Sequence, residues 1–365
     1  MNTFDALKPI RRPEIDAIAA YHVPDASGYI KLDAMENPYG LPPALKSELG
    51  QRLSEVMLNR YPDPSAHVLR ARLCKAMGVP AGYDVMLGNG SDELIQILAL
   101  ALARPGATLL AVEPSFVMYR MIAGFVGMQY AGVPLRDDFS LDVDAVLAEI
   151  ATKQPALVFL AYPNNPTGNR FAAEDVIRII EAAPGLVVVD EAYHAFASDS
   201  FMPRLPQYPN LVVMRTLSKL GLAGLRLGFM SAHPDWLTYF DKVRLPYNIN
   251  VLSQAAASFL LDHIDVFNAQ AATIRQERSR LFTALSAMPG LTVYPSEANF
   301  ILVQMADAEA CYAELKAQHI LIKKLHGAHP MLSGCLRFTV GSPEENDRVL
   351  AVLGEWIAQR QLAPV

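Results

Sequence analysis

Cysteine is scarce in this chain. Cys74, Cys311 and Cys335 stand far apart among 365 residues, in no CxxC pair and no Cys/His cluster. That spacing argues against a disulfide framework and against a structural zinc. Eight histidines lie outside metal-ligand spacing; His326 and His329, in a stretch that reads as a loop, are assigned to the surface. A surplus of positive charge is missing too. Lys and Arg number 31 against 37 Asp and Glu, a formal net of −6, which leaves no basic footprint for nucleic acid and no polybasic patch for a membrane. The longest apolar stretch, Leu94 to Ala103, is too short to cross a bilayer. Met1 to Arg12 is polar and lacks the apolar core of a secretory signal, so a reducing cytoplasm is the expected location. There is no internal repeat and no low-complexity tract.

What is present is the composition of a folded protein with a large core: 52% hydrophobic and 19% charged residues. The length suggests two domains, or a large one with a satellite. From about residue 84, short apolar runs alternate with helix-like stretches such as Glu174 to Ala182. Thr108 to Val112, Ala156 to Ala161, Leu186 to Val189 and Leu211 to Met214 read as fully buried strands. Strand, helix, strand in that order predicts an α/β fold with a mostly parallel sheet covered on both faces. Such sheets place their sites at the carboxyl ends of the strands. The first forty residues, with Pro24, Pro38, Pro42 and Pro43, read as an irregular arm and not as a core strand. Gln254 to Ala287 reads as helical, with a long helix near 250–285 bridging two parts. Leu291 to Val293, Phe300 to Val303, Ile320 to Ile322 and Leu336 to Val340 read as the strands of an α+β satellite.

Four segments carry candidate chemistry, and each has a plain alternative. Arg215 to Lys219 follows a buried strand and runs on to Arg226 and Gly228. Its hydroxyls, lysine and arginine suit a phosphate and a carbonyl, and a desolvated lysine amine forms a Schiff base; the alternative is a solvated loop lysine. Asp190 ends the run Leu186 to Val189, where a carboxylate needs a cationic partner such as a protonated pyridine nitrogen; the alternative is a helix cap or turn residue. Tyr193 stands where its phenol would meet the ring oxygen of such a cofactor. Asn164-Asn165-Pro166-Thr167-Gly168 follows a third strand; alone it is a good turn, but at a strand's carboxyl end its Asn side chains can reach a ligand. Gly88 to Glu93 leads into an apolar helix, with Ser91 as the expected N-cap and the helix start open to a phosphate. Two glycines without a third, and without a suitably spaced acid, are weak support for a dinucleotide site.

Together and in this order the segments resemble the fold-type I pyridoxal 5'-phosphate (PLP) enzymes of the class I/II aminotransferase family. The resemblance covers nearly the whole chain, including Asn59 to Asp63, Gly90 to Glu93, Asn164 to Gly168, Asp190 to Tyr193, Ser218-Lys219 and Gly334 to Gly341. Within the family it points to the branch acting on histidinol phosphate with 2-oxoglutarate or glutamate, in histidine biosynthesis. It implies an N-terminal arm and part of the small domain in 1–45, a large PLP-binding domain in 46–255 and a small α+β domain in 256–365. It implies that Lys219 carries PLP as a Schiff base and serves as base and then acid, and that Asp190 pairs with the pyridine N–H. Tyr193 and Asn165 would meet the phenolic oxygen. Ser91, Asp92, Thr216, Ser218 and Arg226 would hold the phosphate. Phe116 would stack on the ring, where many relatives have Tyr. Tyr61 would reach the phosphate of a neighbouring subunit, implying a homodimer. Arg337 would grip the substrate's anion, with Tyr21, Asn165 and Lys323 also facing substrate. At Ile320 to Lys324 relatives often carry Arg, whereas Lys323 and Lys324 stand here and bind phosphate only as point charges. Rival readings in the same fold are an aromatic amino acid aminotransferase and a threonine-phosphate decarboxylase. Outside it, an NAD-dependent dehydrogenase would need a glycine-rich turn with an acidic ribose ligand, which is lacking. A non-catalytic regulator on the PLP fold would need a DNA-binding segment longer and more basic than residues 1–40.

Overall fold

The computed structural model describes residues 5–20 and 23–362. Along the chain the strands are β1 (Ile30–Leu32), β2 (Asp84–Gly88), β3 (Thr108–Glu113), β4 (Gln129–Pro134), β5 (Leu157–Ala161) and β6 (Leu186–Asp190). There follow β7 (Leu211–Thr216), β8 (Gly228–Ala232), β9 (Thr292–Val293), β10 (Phe300–Gln304), β11 (Ile320–Lys324) and β12 (Cys335–Thr339). Strands β2 to β8 form one sheet in the order β2-β8-β7-β6-β5-β3-β4. Its β7-β6-β5-β3-β4 part is parallel, and β8 runs antiparallel to both neighbours. The four apolar runs expected as buried strands are β3, β5, β6 and β7. Their side chains alternate between two cores: Leu110, Val158, Leu160, Val187 and Val189 pack on one face. Leu109, Phe159, Val188 and Val212 pack on the other, against Leu94, Ile95 and Leu98 of the helix Ser91–Leu102. Burial on both faces is why these strands read as continuous apolar runs instead of alternating ones.

A second sheet, β1-β11-β12-β10-β9, surrounds its own core of Ile301, Val303, Ile320, Ile322, Leu336 and Phe338. The first forty residues, expected from their prolines to be an irregular arm, are not all one. Residues 30–32 form β1, paired in parallel with β11 from Ile30↔Ile320 to Leu32↔Ile322. Three residues carry almost no local strand signal; the pairing comes from a partner nearly 300 positions away. The bridging helix is likewise two helices, Val251–Leu261 and Ile264–Ser286, separated at Asp262-His263. His263 leaves the helical region (φ −113°, ψ 30°). The first helix buries Phe259, Leu260 and Leu261 in the larger core, packed on the helices Pro43–Ser54 and His67–Met77, whereas the second sends Ala271, Ile274, Leu281 and Leu285 into the smaller core. One straight rod cannot serve both.

A buried ion pair fixes the floor beside the sheet's carboxyl edge. Arg215 on β7 donates through Nε to Glu191 at 2.9 Å and through Nη1 to the Met77 carbonyl at 3.0 Å. Glu191 also accepts from Ser200 Oγ and the Phe201 N–H. Both oxygens of that carboxylate therefore have donors, the condition for burying a charge.

Candidate active site

Strand ends deliver the chemistry. Ala161 ends β5, Asp190 ends β6 and Thr216 ends β7, and all three face one cavity. Asn165 and Tyr193 reach it from the turns after β5 and β6. Ser218, Lys219 and Arg226 come from the segment after β7, with Ser91, Asp92 and Phe116 opposite. A larger cleft of about 500 Å³ lies elsewhere, between Asp63, β2 and the Arg244–Ile249 segment. It holds neither Lys219 nor Asp190, so the smaller cavity is the one with an amine and a buried carboxylate.

Lys219 sits in a single turn, Ser218–Leu222, and its Nζ donates to the Ala34 carbonyl at 2.8 Å. Burial, then the neighbouring charge of Arg337, pushes its pKa down to about 8, with Glu36 and Asp92 opposing. Asp190 is 4% exposed. Burial pushes its carboxyl up to about 7, against two donors that favour the anion. These are the Tyr119 phenol, 2.7 Å from Oδ2, and the Ala192 N–H, 3.2 Å from Oδ1. Tyr193 is buried, meets Phe300 edge-on at 5.2 Å, and has its phenol pKa raised by burial, which keeps it a proton donor. Phe116 and Tyr119 meet edge to face at 5.6 Å.

The phosphate-like end forms where the helix Ser91–Leu102 starts. Its cap is Gly90 (φ 85°), with no side-chain cap, and Ser91 is the first helical residue. The expected Ser91 cap is thus displaced by one position, because the φ needed is one that glycine adopts freely. Ser91 and Asp92, the first residues of that helix, line the cavity. A Cβ on Gly90 would lie 2.5 Å from Arg226 Nη2, and one on Gly228 2.7 Å from the Ser91 nitrogen. Thr216 Oγ1 lies 3.0 Å from Ser218 Oγ, and Arg226 Nη1 3.4 Å from the same oxygen. Arg226 and Asp92 stand 3.9 Å apart. Two hydroxyls and a guanidinium meet beside the helix start, a combination that suits an anion.

At the other wall, Arg337 on β12 donates to Asn165 Oδ1 at 2.5 Å and to the Asp33 carbonyl at 2.9 Å, and lies over the Phe300 ring. Lys323 on β11 is its direct register partner, so the two side chains share a sheet face. Burial, then the charge of Arg337, lowers the Lys323 pKa. Lys324 points the other way, to both oxygens of Glu309 at 2.8 and 2.9 Å. Tyr61 is outside the cavity, 80% exposed and stacked on Tyr247 at 4.5 Å. Tyr21 lies outside the described residues.

Three features of the site escaped the sequence reading. Tyr119 touches Asp190 from 71 positions away. The Ala34 carbonyl takes the Lys219 amine. Met35 lines the cavity at φ 53°, clamped by Thr339 Oγ1 on its N–H and the Asn299 amide on its carbonyl. None has a local motif; the positive φ of a Met is invisible in composition. Among the described residues no acidic, His or Cys cluster suits a metal ion, and no helix is long and apolar enough to cross a membrane.

The family sequence profile described as aminotransferase class I and II matches residues 27–353. The chain is 60% identical to a histidinol-phosphate aminotransferase of Chromobacterium violaceum, over 94% of this chain and 96% of that one. It is 57% identical to histidinol-phosphate aminotransferase 1 of Ralstonia nicotianae, over 95% and 94% of the two chains. Among solved structures it is similar to histidinol-phosphate aminotransferase from Sinorhizobium meliloti in complex with pyridoxal-5'-phosphate. That match has a TM-score of 0.85 and 27% identity, over 97% of this chain and 98% of that one.

Proposed function

The chain belongs to the aminotransferase class I and II family, and on that premise we propose that it uses PLP to interconvert two pairs of molecules. Histidinol phosphate and 2-oxoglutarate stand on one side, imidazole-acetol phosphate and glutamate on the other. Relatives at 57 and 60% identity over nearly the whole chain carry the matching name. The observation that carries the reading is Lys219 and Asp190 in one cavity, each displaced by burial toward its neutral form.

The residues fit the cofactor. Lys219 would hold its carbonyl carbon, Asp190 its ring N–H, and Tyr193 with Asn165 its phenolic oxygen. The start of the helix Ser91–Leu102, with Ser91, Asp92, Thr216, Ser218 and Arg226, would hold its phosphate, and Phe116 would cover the ring. Bound there, PLP supplies an electron sink for the pair left when the substrate's Cα–H bond breaks. Lys219 takes that proton on Nζ and later returns it, a role for which a pKa near 8 suits a working pH near neutrality. Asp190 keeps the ring nitrogen protonated. Arg337, aimed by Asn165 and the Asp33 carbonyl, binds the substrate's anionic group, and Lys323 adds a second positive charge on the same face. Since histidinol phosphate carries a phosphate ester where glutamate carries a carboxylate, Arg337 serves both.

The exposed Tyr61–Tyr247 stack beside the larger cleft supports a homodimer in which Tyr61 completes the phosphate site of a second copy. The large sheet then belongs to a PLP-binding domain spanning about 46–255, with the smaller sheet in the second domain, and the enzyme works in the cytoplasm. The test is a transamination panel of histidinol phosphate, phenylalanine, tyrosine and aspartate with 2-oxoglutarate. Histidinol phosphate should have the highest kcat/KM. A higher value for an aromatic amino acid, or CO2 release from threonine phosphate, would replace the substrate assignment.

A further inference from the structure

Tyr119 is a buried polar side chain to which the reaction above gives no task. It is fully buried at the start of the helix Met118–Val126. Its phenol donates to Asp190 Oδ2 at 2.7 Å. Its ring stacks on Phe159 of β5 at 4.6 Å and meets the edge of Phe116 at 5.6 Å. Two walls of the cavity, the carboxylate and the ring cover, therefore lean on one side chain. A phenol has a single proton to give, and here it goes to the carboxylate. Burial and the nearby Asp190 raise the Tyr119 pKa, so the group remains a donor. The charged and titratable groups around the pair are Asp92 and Glu191, which push Asp190 toward its neutral form, and Tyr193 and Tyr130, which neighbour Tyr119. Against burial and two carboxylates, the donors favouring the Asp190 anion are the Tyr119 phenol and the Ala192 N–H.

We propose that Tyr119 is a positioning residue that holds Asp190 ionised and aimed at the cofactor's ring nitrogen, and so sets the protonation of that nitrogen. The inference rests on the reading of the cavity as a PLP site. The proton balance is internal. With the phenol present, the proton shared between carboxylate and ring stays on nitrogen. Without it, the same proton moves to the carboxyl oxygen, and nothing is gained from or lost to solvent. A hydrogen bond to a charged group is worth enough to shift that balance by roughly 10- to 100-fold.

The experiment loads wild type and Tyr119→Phe with PLP labelled with nitrogen-15 in the ring and records the nitrogen resonance. The expected result is a protonated nitrogen in wild type and a shift toward the unprotonated position in the variant. Equilibrium titration should show cofactor binding weakened by roughly 10- to 100-fold. In an Asp190→Asn background, Tyr119→Phe should add no further change, because the coupled partner is gone. Should the Phe variant not fold, replacing Tyr119 with 4-aminophenylalanine keeps the ring and a weaker donor, and an intermediate resonance is expected. A resonance at the wild-type position in either variant overturns the inference while leaving the function intact. A wild-type protein that takes up no PLP overturns the reading of the site, and this inference with it.

Discussion

Cofactor uptake by the stripped protein should depend on pH through Lys219 with a midpoint near 8. Only the neutral amine attacks a carbonyl. An ordinary lysine, at 10.5, is neutral about once in 3,000 at pH 7, whereas Lys219, at about 8, is neutral about once in 10. Burial, helped by the charge of Arg337, therefore raises the reactive fraction about 300-fold at neutral pH. Stopped-flow absorbance on mixing stripped protein with PLP should show a rate rising about tenfold per pH unit up to about 8 and levelling above it. A rate still climbing beyond pH 9 would show that the amine is not desolvated and would refute the reasoning. The same depression has a stability signature. The folded value lies below the unfolded one, so between about pH 8 and 10.5 the unfolded chain holds a proton that the native chain has released. The contribution of this group to stability therefore rises with pH across that window, and its full cost, up to about 3 kcal/mol, applies below pH 8. Lys219→Met should raise the urea midpoint of the stripped protein at pH 7, by a margin that shrinks at pH 9.5. An equal or lower midpoint at pH 7 would count against the depressed value.

Gly90→Ala puts a Cβ 2.5 Å from Arg226 Nη2 at a φ of 85°. It should weaken PLP binding by roughly 10- to 100-fold, from about 1–3 kcal/mol of backbone strain and a displaced charge-assisted contact. Gly224→Ala, with open space around it, should leave the dissociation constant unchanged in the same titration. Lys323→Met should raise KM for histidinol phosphate by about tenfold or more, since a half-buried charge beside Arg337 is lost. Lys324→Met, which breaks an exposed pair with Glu309, should change KM by less than about twofold. Equal effects from the two lysines in steady-state kinetics would contradict the side-chain alternation along β11.

The parts legible in the sequence are those where one physical cause acts over a short span. Leu186–Asp190 is a strand because both faces are buried, and its last residue is the carboxylate because the chain there leaves the core for the site. The segment after β7 was readable for the same reason. What was missed depends on distant partners. Residues 30–32 become a strand only by pairing with β11. The break at Asp262-His263 reflects two cores, neither of which is written in the helix itself. The choice between Lys323 and Lys324 is decided by register with Arg337. The cap moved from Ser91 to Gly90 because the turn needs a positive φ, in a place where a Cβ would also meet Arg226.

One force shapes both reactive groups, in opposite directions. Removing water disfavours charge, so it lowers the Lys219 ammonium to about 8 and raises the Asp190 carboxyl to about 7. The usual gap between a carboxylate and an ammonium, more than six units, shrinks to about one. Near neutrality each group then exchanges its proton at small cost. The residues around the two groups set the limits of that convergence. Arg337 pushes Lys219 further toward neutrality; if Arg337 binds the substrate's anion, as proposed, that anion would offset the cationic field and raise the Lys219 pKa. Tyr119 and the Ala192 N–H hold Asp190 back from losing its charge altogether. The substrate's negative group would thus make Lys219 a stronger base at the moment a proton has to leave Cα, and the coupling runs through a residue whose place was readable while its neighbours' effect was not.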